Sequence, residues 1–261
     1  MHRCLVPLAV SLAITVSGLV SVTPVSAGSA FLKPTAVVER SVIGTSVQGR
    51  DIVAYHLGEP DRPRVKTVVL LAAMHGNEAA PSQILRALVH GKPVIALDLW
   101  VVPTYNPDGV AAGTRKNARG VDLNRNFPYQ WADLDGSYES GPKPGSEPET
   151  KAMMAFLDRV DPAAILSFHQ PLYGVDTDTK NPRLARRVAR KLRLPATTLD
   201  CGGVCHGTMT GWFNNSHRGN AITVEYGARP GRYRMRKVAP DQVLSVFRAR
   251  RARAGATPDA G

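Results

Sequence analysis

Three residues with metal-binding or acid–base side chains directly follow apolar, strand-like runs of the sequence: His75, His169 and Glu225. Ligands of open α/β sheets bind beyond the carboxyl ends of the strands, so residues at these points can meet at one edge. Glu78 stands three residues after His75, where a strand gives way to a helix. His75, Glu78 and His169 together offer two nitrogens and one carboxylate. Such a set suits zinc and leaves one ligand position open for water.

The spacing of His75 and Glu78 is a weak signal by itself. A histidine at a strand end commonly does no more than hydrogen-bond to its neighbours. The agreement of three strand ends favours a metal site, but both interpretations remain open on spacing alone.

Apolar runs and segments of helical spacing alternate along the chain. This alternation predicts an α/β fold with three layers, in which helices cover both faces of a mixed, mostly parallel twisted sheet. Ser146–Glu149 has the pattern of a capping box. We expect long irregular stretches over 104–145 and 170–181, strands over 36–43, 50–57, 66–74, 94–102, 163–168 and 221–225, and helices over 78–90, 146–160, 182–192 and 240–252.

The first 27 residues have the features of a secretory signal peptide. Arg3 precedes an apolar run, and Val25-Ser-Ala27 forms a small-x-small cleavage pattern, so we expect cleavage after Ala27. The alternative is an uncleaved membrane anchor. We therefore expect a catalytic domain over 28–254 and a disordered tail over 255–261. We also expect the protein to be secreted or wall-associated, without stable membrane insertion after cleavage.

The chain is strongly basic. Its 261 residues include 33 Lys and Arg against 21 Asp and Glu, which gives 33 − 21 = +12, and loss of Arg3 leaves 32 − 21 = +11. Outside the cell, this charge favours an anionic cell-wall polymer as a partner. No nucleic-acid-binding motif accompanies the charge, so we expect no nucleic acid partner.

Two cysteines remain after signal cleavage, in the segment Cys201-Gly-Gly-Val-Cys205. In an oxidising compartment we expect them to form a disulfide with a small loop. A pair of free thiols is the alternative.

Longer motifs surround the candidate ligands and resemble those of the zinc carboxypeptidase family, the carboxypeptidase A type of metallopeptidase. The resemblance covers about residues 38–250 and rests on these segments: His75-x-x-Glu78, Asn106-Pro-Asp-Gly109, Thr114-Arg-Lys-Asn117, Gly120-Val-Asp-Leu-Asn-Arg-Asn-Phe-Pro128, His169 and Glu225.

The resemblance implies a role for each matching residue. His75, Glu78 and His169 would hold one Zn²⁺ per chain, and Asp122 would orient a ligand imidazole. Asn124 and Arg125 would bind the substrate carboxylate, and Arg115 would face the scissile carbonyl oxygen. Glu225 would be the general base, which takes a proton from water and delivers it to the leaving nitrogen.

The same motifs are most similar to bacterial murein peptide amidases, which cut the bond between γ-D-glutamate and diaminopimelate. A small, mostly polar pocket formed by Thr208, Met209 and Thr210 agrees with such a substrate better than with a large aromatic residue, and we take Thr210 as a substrate contact. Asp176, in the stretch after His169, would meet the amino group of diaminopimelate.

Three other functions stay open. A secreted metallocarboxypeptidase would trim ordinary peptide C-termini, and an N-acyl amino-acid deacylase would share the fold. A wall-binding protein without activity would have lost a ligand or the base, whereas His75, Glu78, His169 and Glu225 are all present.

Overall fold

The computed structural model describes residues 36–59, 65–201 and 204–252. The predicted signal peptide and the predicted tail over 255–261 lie outside the described residues. No helix among the described residues has the length and hydropathy needed to cross a membrane.

In the described part of the chain, eight strands form one mixed sheet, in the order β1-β2-β5-β3-β6-β9-β7-β8. β5, β3, β6 and β9 are parallel neighbours. β1 pairs antiparallel with β2, β2 with β5, and β7 with β9, while β8 runs parallel to β7. The strands are β1 (Val37–Thr45), β2 (Asp51–Gly58), β3 (Thr67–Ala72), β5 (Asp98–Val102), β6 (Ala164–His169), β7 (Tyr173–Asp176), β8 (Ala196–Thr197) and β9 (Asn220–Tyr226), and β4 (Val94–Ile95) pairs with β10 (Arg250–Arg251) in a separate two-stranded sheet.

Within the described residues, six α-helices cover the sheet and connect its strands: α1 (Ser82–Val89), α2 (Pro107–Ala112), α3 (Pro148–Val160), α4 (Pro182–Leu192), α5 (Met209–Ser216) and α6 (Ala239–Val246). The apolar sides of α1, α4 and α6 pack on one face of the sheet, and those of α3 and α5 pack on the other. β3 shows why both faces need cover, since Val68 and Leu70 face the first layer and Val69 and Leu71 the second. The predicted three-layer α/β fold is confirmed.

Some predicted boundaries are wrong. The run 94–102 is two strands, because Ala96 adopts a positive φ of 65° between them. α6 ends at Val246 instead of near residue 252, and the chain then enters β10. The stretch 170–181 contains β7, and 104–145 contains α2 and two short 3₁₀ turns.

The capping box at Ser146 is also absent. α3 begins with Pro148 at its first position, and Glu147 stands as the N-cap without a side-chain cap. Ser146 donates to the carboxylate of Glu147 at 2.8 Å, while Glu149 accepts from Val47 N at 3.0 Å. Tertiary contacts thus occupy the side chains that a local cap would use.

Candidate metal centre and active site

The parallel strands bring the three predicted ligands to one edge of the sheet. β3 and β6 pair so that Ala72 lies opposite Phe168, and His75 and His169 follow at the carboxyl ends. One nitrogen or oxygen atom from each of His75, Glu78 and His169 lies within 4.8 Å of the other two, and all three residues are buried. The sequence prediction of a shared centre is therefore matched by the geometry.

Hydrogen bonds on the far side of each imidazole fix the rings. His75 places Nε2 3.1 Å from Asp122 Oδ1, and His169 places Nε2 2.8 Å from Ser167 Oγ. The Nδ1 atoms of both rings turn inward, 2.7 and 3.0 Å from the carboxylate oxygens of Glu78. Outer partners of this kind orient ligand histidines in metal sites, so the inward atoms fit a zinc ion.

The loop at His75 is held by close backbone contact. Gly76 N donates to Arg115 O at 3.3 Å, and Asn77 N donates to Thr114 O at 3.1 Å. A Cβ on Gly76 would lie 1.9 Å from the carbonyl carbon of Gly109, so only glycine fits there. This contact places Arg115 next to the metal-binding loop.

Arg115 reaches both the metal-binding set and Asp122. Its Nε donates to Asp122 Oδ2 at 2.9 Å, and Nη1 lies 3.2 Å from His75 Nδ1. Nη1 also lies 3.5 Å from Glu78 Oε1. The side chain is 28% exposed, so part of it faces solvent. Arg115 can therefore contact a substrate carbonyl that enters from solvent.

Opposite charges shift the pKa values within the set. Burial by itself raises the pKa of Glu78, but His169 and His75 outweigh burial and lower the pKa to about 2. Burial lowers the pKa of His75, yet hydrogen bonds to Asp122 and Glu78 leave it raised overall. The pKa of Asp122 falls well below its usual range, because His75 and the nearby arginines outweigh its burial.

Glu225 stands at the same edge, directly across from His169 in the pairing of β6 and β9. The residue is buried, and its Oε2 has no hydrogen-bond partner among the described residues. Burial raises the pKa of Glu225, although the electrostatic interaction with His169 opposes the shift. A buried carboxylate with a raised pKa and a free oxygen is suited to accepting a proton.

Asn124 and Arg125 follow Asp122 on a 3₁₀ turn, Leu123–Arg125. Asn124 Oδ1 accepts from Met209 N at 3.0 Å, which ties this turn to the start of α5. Arg125 is 7% exposed and donates from Nη1 to Asn124 O at 2.7 Å. Among the described residues, no carboxylate lies within ion-pair distance of Arg125. A buried guanidinium without a carboxylate partner fits the binding of an anionic group.

The three predicted pocket residues have different environments. Thr208 uses its side chain to cap α5 by accepting from Gly211 N at 3.1 Å, and Met209 is fully buried in the core. Thr210 is half-buried on the first turn of α5, next to the turn that carries Asn124. Thr210 is the least buried of the three, and its contact with substrate stays a prediction.

The structure does not bring Asp176 into contact with the metal-binding set. In the antiparallel pairing of β7 with β9, Gly174 lies opposite Glu225. Asp176 comes two residues later on β7 and is therefore two residues farther than Gly174 from the carboxyl edge of the parallel strands. Its Oδ1 accepts from Asp178 N at 3.0 Å and from Leu199 N at 3.4 Å. Its predicted contact with substrate therefore stays a prediction.

Two cysteines lie near the start of α5. Cys201 and Cys205 are joined by a disulfide, with 5.5 Å between their Cα atoms. This is the bond predicted from the sequence.

Two side chains in the site were missed by the sequence analysis. Ser167 precedes His169 by two residues, and side chains with this spacing on a strand share one face. The contact between Ser167 and His169 could therefore have been predicted from the sequence. Tyr138 carries no such signal, because it lies on a 3₁₀ turn within the long loop. Its ring centre lies 4.8 Å from the guanidinium carbon of Arg125 and 5.5 Å from that of Arg115.

The mixed sheet and the two-histidine, one-carboxylate set at its edge define a zinc-dependent hydrolase. The family model for zinc carboxypeptidases matches residues 32–175, more than half of the chain, and the chain belongs to this family. Its cofactor is zinc, and His75, Glu78 and His169 are placed to hold the ion.

Curated relatives include two murein peptide amidases A. The protein from Escherichia coli K12 is 35% identical over 172 residues, which cover 60% of this chain and 70% of the relative. That from Vibrio campbellii is 31% identical over 220 residues, which cover 79% and 84% of the two chains.

Solved structures agree with this fold. The murein-tripeptide amidase MpaA from Escherichia coli O157 matches with a TM-score of 0.66 and 29% identity, over 80% of this chain and 91% of that chain. A carboxypeptidase A from Helicoverpa armigera matches with a TM-score of 0.65 at 18% identity, over 81% and 68% of the two chains, and supports the fold alone.

Proposed function

We propose that this protein is an exported zinc peptidase that hydrolyses the amide bond between γ-D-glutamate and diaminopimelate in murein peptides. The observation that carries this proposal is the buried Arg125, which among the described residues has no carboxylate within ion-pair distance and interacts electrostatically with Asp122, the partner of His75. The similarity to murein peptide amidases supports the choice of substrate.

Zinc, when bound, supplies Lewis-acid chemistry, since it lowers the pKa of a water molecule and polarises a carbonyl group. The protein's own groups perform the remaining tasks. Glu225 accepts the proton of the attacking water at its unpartnered Oε2 and delivers it to the leaving amino nitrogen. One proton thus moves from water to the amine while the amide bond breaks.

Arg115 stabilises the charge that develops on the carbonyl oxygen. Its Nη1 already faces His75 Nδ1 and Glu78 Oε1, and its other nitrogens are held by Asp122. A donor fixed in this way needs little rearrangement during the reaction.

Arg125 and Asn124 bind a carboxylate of the leaving residue. Diaminopimelate carries two carboxylates, and the planar guanidinium of Arg125 can bind one of them through two hydrogen bonds. Thr210 then contacts the side chain of that residue. The polar character of Thr210 favours diaminopimelate over a large aromatic residue.

Export and wall association form part of the proposal. The pattern of residues 1–27 supports export, and the net charge of +12 supports an anionic wall polymer as a further partner.

The test is mass spectrometry of the purified protein incubated with L-Ala-γ-D-Glu-diaminopimelate, beside a panel of L-peptides with free C-termini. We expect release of diaminopimelate, lost on chelation and restored by zinc. Trimming of the L-peptides alone would reject the murein substrate and favour a general metallocarboxypeptidase. Stoichiometric zinc without cleavage of either substrate would favour a wall-binding protein without activity.

A further inference from the structure

The positive charge of this protein is concentrated in one part of the chain. Residues 180–237 contain 13 Lys and Arg but only two acidic residues, Asp200 and Glu225, which gives 13 − 2 = +11. The rest of the chain contains 33 − 13 = 20 basic and 21 − 2 = 19 acidic residues, a net charge of +1. Nearly the whole excess therefore belongs to 58 of the 261 residues.

Much of this charge lies on the solvent side of α4. The helix buries Leu184, Val188 and Leu192 against the sheet, whereas its exposed side carries cationic residues and no acidic ones. Because the exposed positions recur at helical spacing, they lie along one side of the helix.

A second basic segment, 229–237, meets the end of α4. Arg234 Nη2 donates to Leu192 O at 2.8 Å and to Arg193 O at 3.2 Å, and its guanidinium carbon lies 5.4 Å from the ring centre of Tyr226. Arg234 thus joins the two segments. We define the cationic face as six exposed side chains of these segments: Arg186, Arg190, Lys191, Arg193, Arg229 and Arg232.

The cationic face has no internal neutralisation. Among the described residues, the ion pairs all involve other side chains. Clustered like charges repel one another in the free protein, and a polyanion relieves that repulsion while releasing its own counterions. Guanidinium groups also match the geometry of phosphate oxygens.

The cationic face favours a polymer over a lipid bilayer. Helices that bind in the membrane interface bury their apolar side in the lipid. α4 instead turns its apolar side to the protein core. Among residues 229–237, all of which the structure describes, Tyr233 is the one large apolar side chain that is exposed, so this segment offers little apolar surface to a lipid. Purely ionic contact with a chain of phosphates needs no apolar anchor.

We propose that the cationic face binds an anionic polymer with repeating phosphate groups and holds the protein on wall material, apart from the catalytic edge. α4 belongs to the helical layer with α1 and α6, and the catalytic residues lie at the carboxyl ends of the strands. A polymer bound along α4 would therefore leave Arg115 and Glu225 accessible. The binding does not depend on which amide bond the site cleaves.

The test compares two variants of equal charge. R186Q/R190Q/R193Q removes three cations of the cationic face, and K66Q/K92Q/R250Q removes three exposed cations elsewhere. Binding to inorganic polyphosphate is measured against salt, with dextran as the uncharged control and vesicles of phosphatidylglycerol and phosphatidylcholine as the lipid control.

We expect R186Q/R190Q/R193Q to bind polyphosphate about tenfold more weakly or worse, and to lower the slope of log affinity against log salt by roughly two to three. K66Q/K92Q/R250Q should change affinity less than about threefold, because only diffuse charge is lost. Hydrolysis of the soluble tripeptide should be equal in both variants and the parent.

Equal weakening in both variants would overturn the proposal, since net charge alone would then explain binding. Stronger binding to the vesicles than to polyphosphate, lost in the same variant, would also overturn it in favour of a lipid surface. Neither result would bear on tripeptide cleavage, so this proposal and the proposed function can fail separately.

Discussion

The catalytic edge and the cationic face are both rich in charge, but they hold it in opposite ways. At the edge, His75, Glu78 and Asp122 are buried and contact one another at 2.7–3.1 Å. On the cationic face, the charged groups are exposed and lack acidic partners among the described residues. Burying a charge costs free energy that an opposite charge or hydrogen bonds must offset, whereas an exposed charge is solvated by water. The catalytic edge is therefore recognisable from a sequence motif, whereas the cationic face is recognisable only from local composition.

The largest contrast concerns metal removal. Chelation should abolish hydrolysis because it removes the metal ion. His169→Ala should do the same, because the metal-binding set loses a ligand nitrogen that the remaining groups cannot replace. Zinc should restore the chelated parent but not the variant. The measurement is tripeptide turnover beside metal content. Turnover by a protein free of metal would show that the buried set is not the reactive centre.

Asp122 and Ser167 provide a matched pair at the edge, because each contacts the outer nitrogen of a ligand histidine. Asp122→Asn should lower zinc affinity or activity by about 10–100-fold, since a charged partner of His75 is lost and Arg115 loses its ion pair. Ser167→Ala removes a neutral group and should cost less. Competition with a chromogenic chelator measures both affinities. Equal losses would contradict the importance of the charge.

Tyr138 tests whether exposed contacts near the edge matter. Loss of the ring in Tyr138→Leu should raise KM roughly fivefold for substrates with a free carboxylate, as expected from ~1 kcal/mol of cation–π contact with Arg115 and Arg125. Tyr138→Phe retains the ring and should behave like the parent. A C-terminal amide substrate serves as the control. A uniform fall in kcat for acid and amide substrates would argue against a role through the arginines.

Asp108 lies between the two extremes, because its buried carboxylate pairs with the half-exposed Arg50. Burial raises the pKa of Asp108, but hydrogen bonds from Ser46, Gln48 N and Arg50 outweigh it and lower the pKa overall. A lowered folded-state pKa stabilises the fold above about pH 4, the unfolded value, and this contribution fades as pH falls below it.

Asp108→Asn should therefore destabilise the protein by about 2 kcal/mol near neutral pH, which corresponds to a fall in Tm of roughly 4–8 °C. Thermal unfolding between pH 7 and pH 3 measures the effect. The two proteins should converge at the acid end. A difference that grows as pH falls would contradict the sign of the pKa shift.

Much of the edge was predictable because strand periodicity and motif spacing act together. Parallel strands of continuous apolar sequence end at one edge, so His75, His169 and Glu225 were brought together by topology alone. The roles of Asp122, Asn124 and Arg125 needed the family resemblance, since a loop sequence does not state which way its side chains turn.

The remaining errors share a physical cause, which is competition from distant contacts. Ser146 and Glu149 have capping-box spacing, but Glu147, Val47 and Asn117 take their hydrogen bonds. Tyr138 meets two arginines only after its loop has folded back. Such partners are far apart in sequence, and local patterns cannot identify them.

The most direct test of the catalytic edge is Glu225→Gln, studied by single-turnover hydrolysis of L-Ala-γ-D-Glu-diaminopimelate with zinc content and substrate affinity measured on the same sample. We predict full zinc occupancy, nearly unchanged affinity and a rate of hydrolysis reduced by about 10²–10⁴-fold. A rate close to that of the parent, with zinc bound, would contradict the assignment of Glu225 as the proton acceptor.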